Sequence, residues 1–427
     1  MGILSAAGAL VAAAMALGVA PAAEPARRSQ PAAAPVRPAP VVPAPAPPVV
    51  ATPLPTREPG VLSVVAFLDL SGPRSALGTA QRNALQLWSE EQRVRSVPVK
   101  VRTVDIGDGD ARLLLELRRV AVDEPVDAAI IGTPVVWDDT LGRALDLAAI
   151  PVLFTLPLGS DPITRTGGRW GFALAPLTTR LAASEIDDAM RRGALAPSLV
   201  LTMPPTRVDP MAAALDAELA RRSLEPLTHV ALPADGSVPP VVRSGLSVLR
   251  SVHCTAPPSS CAAVAEAARA AGAPTFFYLP YTTAPAEVGE RRDLASRAVW
   301  PGSGWTLPFD APPVMPVNRA RDRFLRAYAD RWGAAGTHAA TAYDALSLLA
   351  AAADRGGDDD PAALRDALER ITMPLIASTY SFGPARHTGP DPADLAYLRW
   401  TGSAIAPALA PSLGTGLATP PRPTASP

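Results

Sequence analysis

A chain of 427 residues is long enough for two medium-sized domains, and its formal net charge is −1. Because nucleic-acid binding draws much of its affinity from a surplus of basic side chains, this balance argues against a nucleic-acid-binding protein. Hydrophobic residues make up 48% of the chain and charged residues 19%, so we expect a globular, soluble body.

The first residues are typical of an export signal. From Ile3 to Val19 the side chains are apolar or small and uncharged, and Ala20-Pro21-Ala22 offers a small-x-small cleavage site. This pattern predicts a signal peptide over residues 1–23. Because only the terminal amine is positive there and the apolar run approaches membrane-spanning length, an uncleaved anchor is the alternative. No cysteine stands near the cleavage region, which argues against a bacterial lipoprotein anchor.

The segments that flank the body have a composition that cannot form a core. Residues 24–59 are dominated by Pro, Ala and Val, which indicates an extended, semi-rigid linker. Residues 404–427 have the same composition and predict a disordered tail. The folded unit is therefore expected over residues 60–403.

Apolar runs of strand length alternate with helical patterns from the start of this unit. Val61–Leu68 is almost entirely apolar, as in a strand that is covered on both faces. The patterns that follow predict helix Ala76–Val94, strand Val97–Val104, helix Ala111–Ala121, strand Val126–Ile131, helix Asp138–Leu147 and strand Pro151–Leu156. Such an alternation predicts a doubly wound parallel sheet.

The alternation restarts after Phe172, which predicts a second sheet and hence a second lobe. The expected elements are helix Thr178–Arg192, strand Ser198–Met203, helix Pro210–Arg222, strand Leu227–Leu232, helix Ser259–Ala271, strand Pro274–Leu279 and strand Ala298–Trp300. Ser237–Cys254 shows no clear pattern, and we assign it no element.

The last third is mainly helical. Its patterns predict helices Asn318–Trp332, Thr337–Ala353 and Pro361–Arg370 and short closing strands Tyr380–Phe382 and Tyr397–Trp400. Asp360 before Pro361 is a good N-cap followed by proline at the first helical position.

Three polar turns follow strands of the first predicted sheet. The turn Asp69–Gly78 carries Ser71, Gly72 and Ser75 before a helix, where free N–H groups and the helix dipole attract anions. The turns Gly132-Thr133-Pro134 and Leu158–Pro162 should meet it at the carboxyl edge of the sheet. The pattern predicts a polar pocket there, and ordinary βα turns with serine caps are the alternative.

Motifs that carry catalysis or bind metals are weak in this sequence. The four histidines are scattered, and the only lysine, Lys100, stands in no phosphate-binding loop. Asp358-Asp359-Asp360 precedes a helix, where capping is the simpler interpretation. We expect no cofactor, no metal and no enzymatic activity, although a triad assembled from distant Ser, His and Asp residues stays open.

The two cysteines, Cys254 and Cys261, are separated by six residues. In an oxidising compartment they would form a local disulfide, and free thiols are the alternative. His253 alone is too little to complete a zinc site with them.

Several segments together resemble the type I periplasmic binding proteins, and above all the branched-chain amino-acid binding proteins of ABC importers. The segments are Leu68–Pro73 with Leu77-Gly78, Ala128–Gly132, Pro151–Phe154, Ser160–Pro162, the Tyr-Asp-Ala helix Ala339–Ala345, and Ser381-Phe382. They occur in the family's order across about residues 61–403.

This resemblance implies two Rossmann-like α/β lobes joined by three crossovers, with a solute held between them by hinge closure. Lobe one would comprise about 61–175 and 301–370, and lobe two about 176–300 and 371–403. The residues expected to contact the solute are Ser71, Gly72, Ser75, Leu77, Thr133, Val136, Gly159 and Ser160 from lobe one, and Thr206–Arg207, Pro257–Pro258 and Tyr281 from lobe two.

Some of these positions depart from the amino-acid binders. Leu77 stands where an aromatic ring often covers the ligand, and Val136 stands where a serine binds its carboxylate, although Ser160 matches a hydroxyl position. Tyr281 replaces an acidic residue that would pair with the ligand's ammonium, and a desolvated ammonium needs such a partner. An ordinary α-amino acid is therefore not the expected ligand.

The sequence thus predicts an exported protein that captures a small solute, amino-acid-like without being a standard amino acid, for an ABC-type permease. A sensor or envelope scaffold with a degenerate cleft is the alternative, which the long linker and the missing lipoprotein cysteine favour. An α/β hydrolase is the third hypothesis. Membrane contact is expected only through an uncleaved N-terminal segment.

Overall fold

The computed structural model describes residues 60–91, 97–107, 110–124, 126–203, 209–233, 235–306, 319–357 and 360–408. The predicted export segment (1–23), the linker (24–59) and residues 409–427 of the predicted tail lie outside these ranges. Among the described residues, no helix is long and apolar enough to cross a membrane.

Five strands form an all-parallel first sheet. They are β1 Leu62–Leu68, β2 Val99–Asp105, β3 Ala128–Gly132, β4 Val152–Phe154 and β5 Gly171–Ala173. Their spatial order is β2-β1-β3-β4-β5. Strands β1, β3 and β4 are thus neighbours, and their carboxyl ends share one edge.

Seven strands form the second sheet. They are β6 Ser198–Thr202, β7 Thr228–Ala231, β8 Ser251–Cys254, β9 Phe276–Tyr278, β10 Ala298–Ser303, β13 Leu395–Trp400 and β14 Ile405–Pro407. Their spatial order is β14-β13-β10-β9-β8-β6-β7, and β13 runs antiparallel to both of its neighbours, β10 and β14. A separate hairpin pairs β11 Thr372–Pro374 with β12 Thr379–Ser381.

Twelve α-helices connect and cover these strands in the described part of the chain. They are α1 Ser75–Glu91, α2 Asp110–Asp123, α3 Asp139–Ala148, α4 Thr178–Arg191, α5 Pro210–Arg221, α6 Pro240–Gly245, α7 Pro258–Ala270, α8 Pro285–Gly289, α9 Arg292–Ala295, α10 Arg319–Trp332, α11 Thr337–Ala352 and α12 Pro361–Leu368. The predicted alternation of strands and helices, and the two-lobed α/β class, are confirmed.

Alternate side chains of β1 enter different cores, which explains its almost uninterrupted apolar run. Val64, Ala66 and Leu68 pack in a core that includes α1 and α11. Val65 and Phe67 pack in the opposite core, which includes α2 and α3. Successive strand residues point to opposite faces, so a sheet covered on both faces needs apolar residues at every position.

The second sheet is covered on both faces in the same way. Val252 and Trp300 lie in a core that α6 and α7 complete. Val200 lies on the other face, against Ile186 of α4 and Leu215 of α5. Each sheet therefore has helices on both sides, as the doubly wound arrangement requires.

The chain passes between the two sheets three times. The first crossover leads from β5 to α4, and the second leaves β10 toward α10. The third follows α12 and reaches β13 after the β11–β12 hairpin. We refer to these connections as the crossovers.

The packing differs from the predicted lobe boundaries in three places. Residues 301–303 belong to β10 of the second sheet, whereas they were expected in lobe one. Ile371 and Tyr380 are buried in the core of the first sheet, whereas residues from 371 on were expected in lobe two. The second sheet also continues to Ile405–Pro407, beyond the predicted end at 403, because Ile405 packs in the second core. Short segments carry too few residues for their pattern to identify the core that they join.

Some short elements had no counterpart in the sequence prediction. Ser237–Cys254, to which no element was assigned, contains α6 and β8. The three-residue strands β5, β11 and β14 and the helices α8 and α9 were also missed. Runs of three to six residues cover at most about two periods of a strand or helix pattern, which is too few to reveal it.

Candidate functional site

Three loops meet at the carboxyl edge of the first sheet, and we call them the edge loops: 69–74 after β1, 133–138 after β3 and 155–161 after β4. They are adjacent because their strands are adjacent. A direct hydrogen bond joins the first two, from Thr133 Oγ1 to Asp69 Oδ2 at 2.8 Å, and both residues are buried. The structure therefore brings the predicted polar turns together at one place.

The loop after β1 is held by the end of the neighbouring strand β2. Asp105 accepts hydrogen bonds from the backbone N–H groups of Leu70 and Gly107, each at 2.9 Å. The Ser71 hydroxyl also donates to Asp105, and these hydrogen bonds lower the pKa of that carboxyl. Ser71 was predicted to contact a solute, and in the structure its hydroxyl is engaged by Asp105.

Two glycines allow the tight path of this loop. Gly72 is exposed and has a φ of +77°, which a residue with a side chain rarely adopts. Gly78 lies against the backbone of Asp69, and a methyl group at its Cα would overlap the Asp69 carbonyl. Helix α1 can therefore begin directly beside the end of β1.

Gln81, a buried residue of α1, holds the second and third edge loops in place. Its side-chain amide donates to the Gly132 carbonyl oxygen at 2.7 Å, and its amide oxygen accepts from Thr155 Oγ1 at 2.5 Å. Gln81 and Thr155 are fully buried, so these bonds are shielded from water. One side chain of α1 thus ties the ends of β3 and β4 together.

Two hydroxyls at this edge have no protein partner in the described part of the chain: those of Ser75 and Ser160. Both residues are half-buried, and Gly159 beside Ser160 is exposed. Ser75 is the first residue of α1, and its N–H donates to the Gly72 carbonyl oxygen. The next two N–H groups of the helix, those of Ala76 and Leu77, have no partner among the described residues, as is usual in the first turn of a helix. The edge therefore presents hydrogen-bond donors of the kind that bind a carboxylate or a carbonyl.

The two apolar positions of the predicted site differ in exposure. Leu77 is buried, with 6% of its surface exposed, and Val136 is 40% exposed. Val136 thus places an apolar surface, and no hydroxyl, within the second edge loop.

Asp161 lies next to Ser160, but its carboxylate is occupied by the protein. It caps the 3-10 helix Pro162–Thr164 through the Ile163 N–H. It also accepts from the N–H groups of His387 and Thr388, at 3.0 and 3.1 Å. Asp161 therefore fastens the third crossover to the edge loops and is not oriented toward a ligand.

Tyr281 lies at the crossovers. It is 6% exposed and packs with Ala175 and Leu181, at the first crossover and on α4. Its hydroxyl is hydrogen-bonded to Thr341 of α11, and burial raises its pKa. The Tyr281 hydroxyl thus joins the segment after β9 of the second sheet to a helix that packs on the first.

A saturated set of polar groups surrounds Tyr281, and we call it the crossover cluster: Ser303, Asp344, Ser378, Tyr380 and Asp394. Asp344 is fully buried and accepts from the Ile376 N–H (2.9 Å), the Ala377 N–H (2.7 Å) and the Tyr380 hydroxyl (3.1 Å). Burial raises the pKa of Asp344 to about 7, against the lowering effect of these hydrogen bonds.

Asp394 completes the crossover cluster on the other side. It accepts from Trp305 Nε1 at 2.8 Å, from Ser378 Oγ at 2.6 Å and from the Thr379 N–H at 2.9 Å. The Ser303 hydroxyl of β10 donates to the Ala377 carbonyl oxygen. A cavity of about 20 Å³ beside these groups has room for a single water.

The remaining second-lobe predictions fall elsewhere. Thr206–Arg207 lies outside the described residues. Pro257 and Pro258 form the N-cap and first position of α7. A disulfide joins Cys254, at the end of β8, to Cys261 on α7 and so fastens this helix to its sheet.

A serine, a histidine and a glutamate do line up inside the second lobe. Ser251 Oγ is 3.1 Å from His253 Nε2, and His253 Nδ1 is 2.6 Å from Glu185 Oε1. Ser251 and His253 are fully buried, and Ser251 Oγ is also bonded to Ser198 Oγ at 2.8 Å. Since no surface reaches this serine, the arrangement satisfies buried polar groups and offers no nucleophile to a substrate.

Metal ligands do not cluster either: no group of three or more His, Cys, Asp or Glu residues suited to a metal is present in the described ranges.

Sequence reasoning missed the residues that hold the site in shape. Gln81, Asp105 and Asp161 hold the site through hydrogen bonds to residues that are distant in the sequence, and no local pattern marks such bonds. Asp344 could have been singled out from the sequence, because it lies in the Tyr-Asp-Ala segment that carries part of the family resemblance. Its role at the third crossover needed the structure.

The comparisons with known proteins agree with this architecture. A family model described as periplasmic binding protein matches residues 62–403. No curated protein sequence matches the chain.

Solved structures with the same fold include three solute-binding proteins. An extracellular ligand-binding receptor from Rhodopseudomonas palustris HaA2 is 18% identical, with a TM-score of 0.66 over 81% of this chain and 99% of that one. A leucine binding protein from Thermotoga maritima is 14% identical, with a TM-score of 0.64 over 81% and 98%. An ABC transporter solute binding protein from R. palustris, in complex with benzoate, is 17% identical, with a TM-score of 0.66 over 84% and 100%.

At these identities the neighbours establish the fold, whereas the family model covers most of the chain in its own right. Two α/β lobes, three crossovers and a polar edge on the first sheet are the features expected of such a match. The chain belongs to the periplasmic binding protein family.

Proposed function

We propose that this protein binds a small solute that carries a carboxylate or similar acceptor group, at the edge loops of the first sheet. The observation that carries the proposal is two half-buried hydroxyls with no partner among the described residues: Ser75 at the N-terminus of α1 and Ser160 in the third edge loop. Hydroxyls and free N–H groups at a helix N-terminus stabilise a carboxylate. Ser71, Gly72, Thr133 and Gly159 shape the same edge.

The ligand class follows from the carboxylates of the edge loops. Asp69 accepts from Thr133, and Asp161 accepts from three backbone N–H groups. Tyr281, which stands where the family resemblance implies an acid, is bonded to Thr341. The third carboxylate of the edge loops, Asp138, caps α3 through the Thr140 and Leu141 N–H groups. Because each of these carboxylates is already engaged within the protein, an ammonium would have no charged partner reserved for it, and it costs free energy to desolvate without one. A carboxylate without an α-amino group suits this edge better than an amino acid.

We further propose that the protein acts outside the cytoplasm, without enzymatic activity, and delivers its solute to an ABC permease. Support comes from the export-like first residues and from the family match. The relative in complex with benzoate is named as part of an ABC transporter. The one serine–histidine pair seen in the described part of the chain, Ser251 with His253, is also buried away from any substrate.

A non-transport sensor or scaffold is the second candidate. The observation that favours it is the apolar or internally bonded character of three expected contacts: Leu77, Val136 and Tyr281. Such a protein would keep the fold and the crossovers and would bind no solute at the edge.

A thermal-shift screen with matched ligand pairs tests the proposal. Each amino acid is compared with the carboxylate that lacks its amino group: leucine with 4-methylpentanoate, and phenylalanine with 3-phenylpropanoate, with benzoate added. A ligand that binds only the folded state raises the melting temperature. We expect a rise with one or more carboxylates and a smaller rise, or none, with the paired amino acids.

The screen separates the two levels of the proposal. A larger rise with the amino acids would contradict the ligand class and leave solute binding intact. A flat screen on protein that unfolds cooperatively would contradict solute binding and favour the sensor or scaffold.

A further inference from the structure

A second cavity, of about 300 Å³, lies at the edge of the second sheet where the parallel strands β9 and β10 begin. Its walls come from the beginnings of β9 and β10, at Phe276 and Ala298, and from the ends of β13 and β14, at Trp400 and Pro407. The edge loops lie at the carboxyl ends of the first sheet, so this cavity is a separate place in the fold. Its volume is at the lower end of the range of small-molecule sites.

Three arginines line this cavity: Arg192, Arg297 and Arg399. No aspartate or glutamate is among the described residues that line it. Within the described ranges, Asp188 is the one carboxylate that pairs with any of the three, through Arg192 Nε at 2.5 Å. A cavity lined by one sign of charge concentrates the field that attracts the opposite sign.

Two of these guanidinium groups are held in place by the fold. Arg192 is fixed by Asp188, by the Ala408 carbonyl oxygen at 3.0 Å and by the Phe276 ring, 4.9 Å from its guanidinium carbon. Arg297 donates to the Ala273 carbonyl oxygen. Because these side chains are already ordered, they would lose little further conformational entropy when a ligand binds.

Arg399 completes the set and is free to receive a ligand. It is exposed, and it forms no ion pair or side-chain hydrogen bond within the described residues. A guanidinium presents a planar fork of N–H donors that matches the oxygens of a carboxylate or phosphoryl group.

We infer that this cavity is a second binding site, for a small anion with more than one carboxylate or phosphoryl group. Several guanidiniums around one cavity favour a polyvalent anion over a monovalent one, since each charged group finds its own partner. The inference is independent of the solute proposed for the edge loops.

The test is a calorimetric titration of the full chain at low ionic strength with two probes, citrate and pyrophosphate. Citrate tests the carboxylate arm and pyrophosphate the phosphoryl arm. We expect saturable binding of one anion per chain, by one probe or both, that weakens as salt is raised. Arg399→Gln should weaken it by about tenfold, the loss expected for one charge-assisted hydrogen-bonded contact.

Two controls make the result specific. Arg243→Gln removes an exposed arginine of α6 with no ion pair in the described part of the chain, and it should leave the affinity unchanged. Ser75→Ala with Ser160→Ala should also leave it unchanged, which separates this site from the edge loops. Absence of saturable binding with both probes, or equal affinity of wild type and Arg399→Gln, would overturn the inference.

Discussion

The edge loops and the crossover cluster are both polar, but they use their hydrogen-bonding groups in opposite ways. In the crossover cluster, Asp344 accepts three hydrogen bonds and Asp394 accepts three, and both are buried. At the carboxyl edge of the first sheet, the hydroxyls of Ser75 and Ser160 have no partner among the described residues and are half-buried. Groups that stabilise a fold are paired within it, whereas groups that recognise a solute must stay unpaired until it arrives.

This difference predicts separate consequences for mutations in the two regions. Changes in the crossover cluster should lower the free energy of unfolding, and changes at the edge hydroxyls should lower affinity with little effect on stability. Gln81 combines the properties of both regions. Its side-chain amide is buried and bonded within the protein, as in the crossover cluster, and it also positions the edge loops.

The largest effect is expected at Asp344. Asp344→Ala removes the acceptor of two backbone N–H groups and of the Tyr380 hydroxyl, all buried at the third crossover. We expect the free energy of unfolding to fall by about 3–5 kcal/mol, since each unpaired buried donor costs roughly 1–3 kcal/mol. Asp344→Asn keeps an acceptor oxygen and should cost about half as much. Urea denaturation of both variants provides the measurement, and equal stability of Asp344→Ala and wild type would contradict the role of the cluster.

The next effect concerns pH and separates two residues of the same helix, α11. His338 is fully buried, its ring nitrogens have no hydrogen-bond partner among the described residues, and burial lowers its pKa to about 4. Because the folded pKa lies below the ordinary value of about 6.5, its contribution is present above pH 6.5 and is lost as pH falls through 4. Asp344 has the opposite sign: its raised pKa, about 7, makes its contribution present below pH 4 and lost as pH rises through 7.

The histidine half of this comparison can be isolated with His338→Leu, which cannot take up a proton. Between pH 6.5 and 4, wild type should lose about 3 kcal/mol of stability relative to the variant, from the conversion of a pKa shift to free energy. Denaturation midpoints at several pH values measure this difference. Parallel pH profiles for the two proteins would show that His338 does not titrate on unfolding as described.

A moderate effect is expected at Gln81, where both properties should change together. Gln81→Met has a similar volume but cannot donate to the Gly132 carbonyl or accept from Thr155. We expect a loss of about 2 kcal/mol in stability and weaker solute binding, because the ends of β3 and β4 are no longer tied. Thermal unfolding with and without the best solute of the screen measures both. A variant that loses stability and keeps full affinity would show that the edge loops hold their shape without this bond.

The sequence predicted the body of the fold because its long elements have strong periodic patterns. The apolar run of β1 indicates a buried strand, and the amphipathic pattern of α1 indicates a helix. The order of strands and helices then implies the doubly wound sheets. The hairpin β11–β12 was assigned to the wrong lobe. Ile371 and Tyr380 are recognisable as core residues, but their sequence does not show which of the two cores buries them. A sequence pattern indicates that a residue is buried, but only the contacts between distant segments show which core buries it.

The candidate site was predictable to the level of its loops. Polar turns after neighbouring parallel strands had to share an edge, and the structure brings them together. What each side chain does there was not predictable: the Ser71 hydroxyl is engaged by Asp105, and Tyr281 contacts Thr341. These partners are far apart in sequence, so no local spacing encodes them.

The most direct measurement is a calorimetric titration of the best solute from the screen into wild type, the double variant Ser75→Ala with Ser160→Ala, and Ser244→Ala as a control. Ser244 is an exposed serine on α6, away from the edge loops. We predict that the double variant binds about tenfold or more weakly while its stability stays within about 0.5 kcal/mol of wild type, and that Ser244→Ala matches wild type. Unchanged affinity in the double variant would contradict the claim that the solute is held at the edge loops.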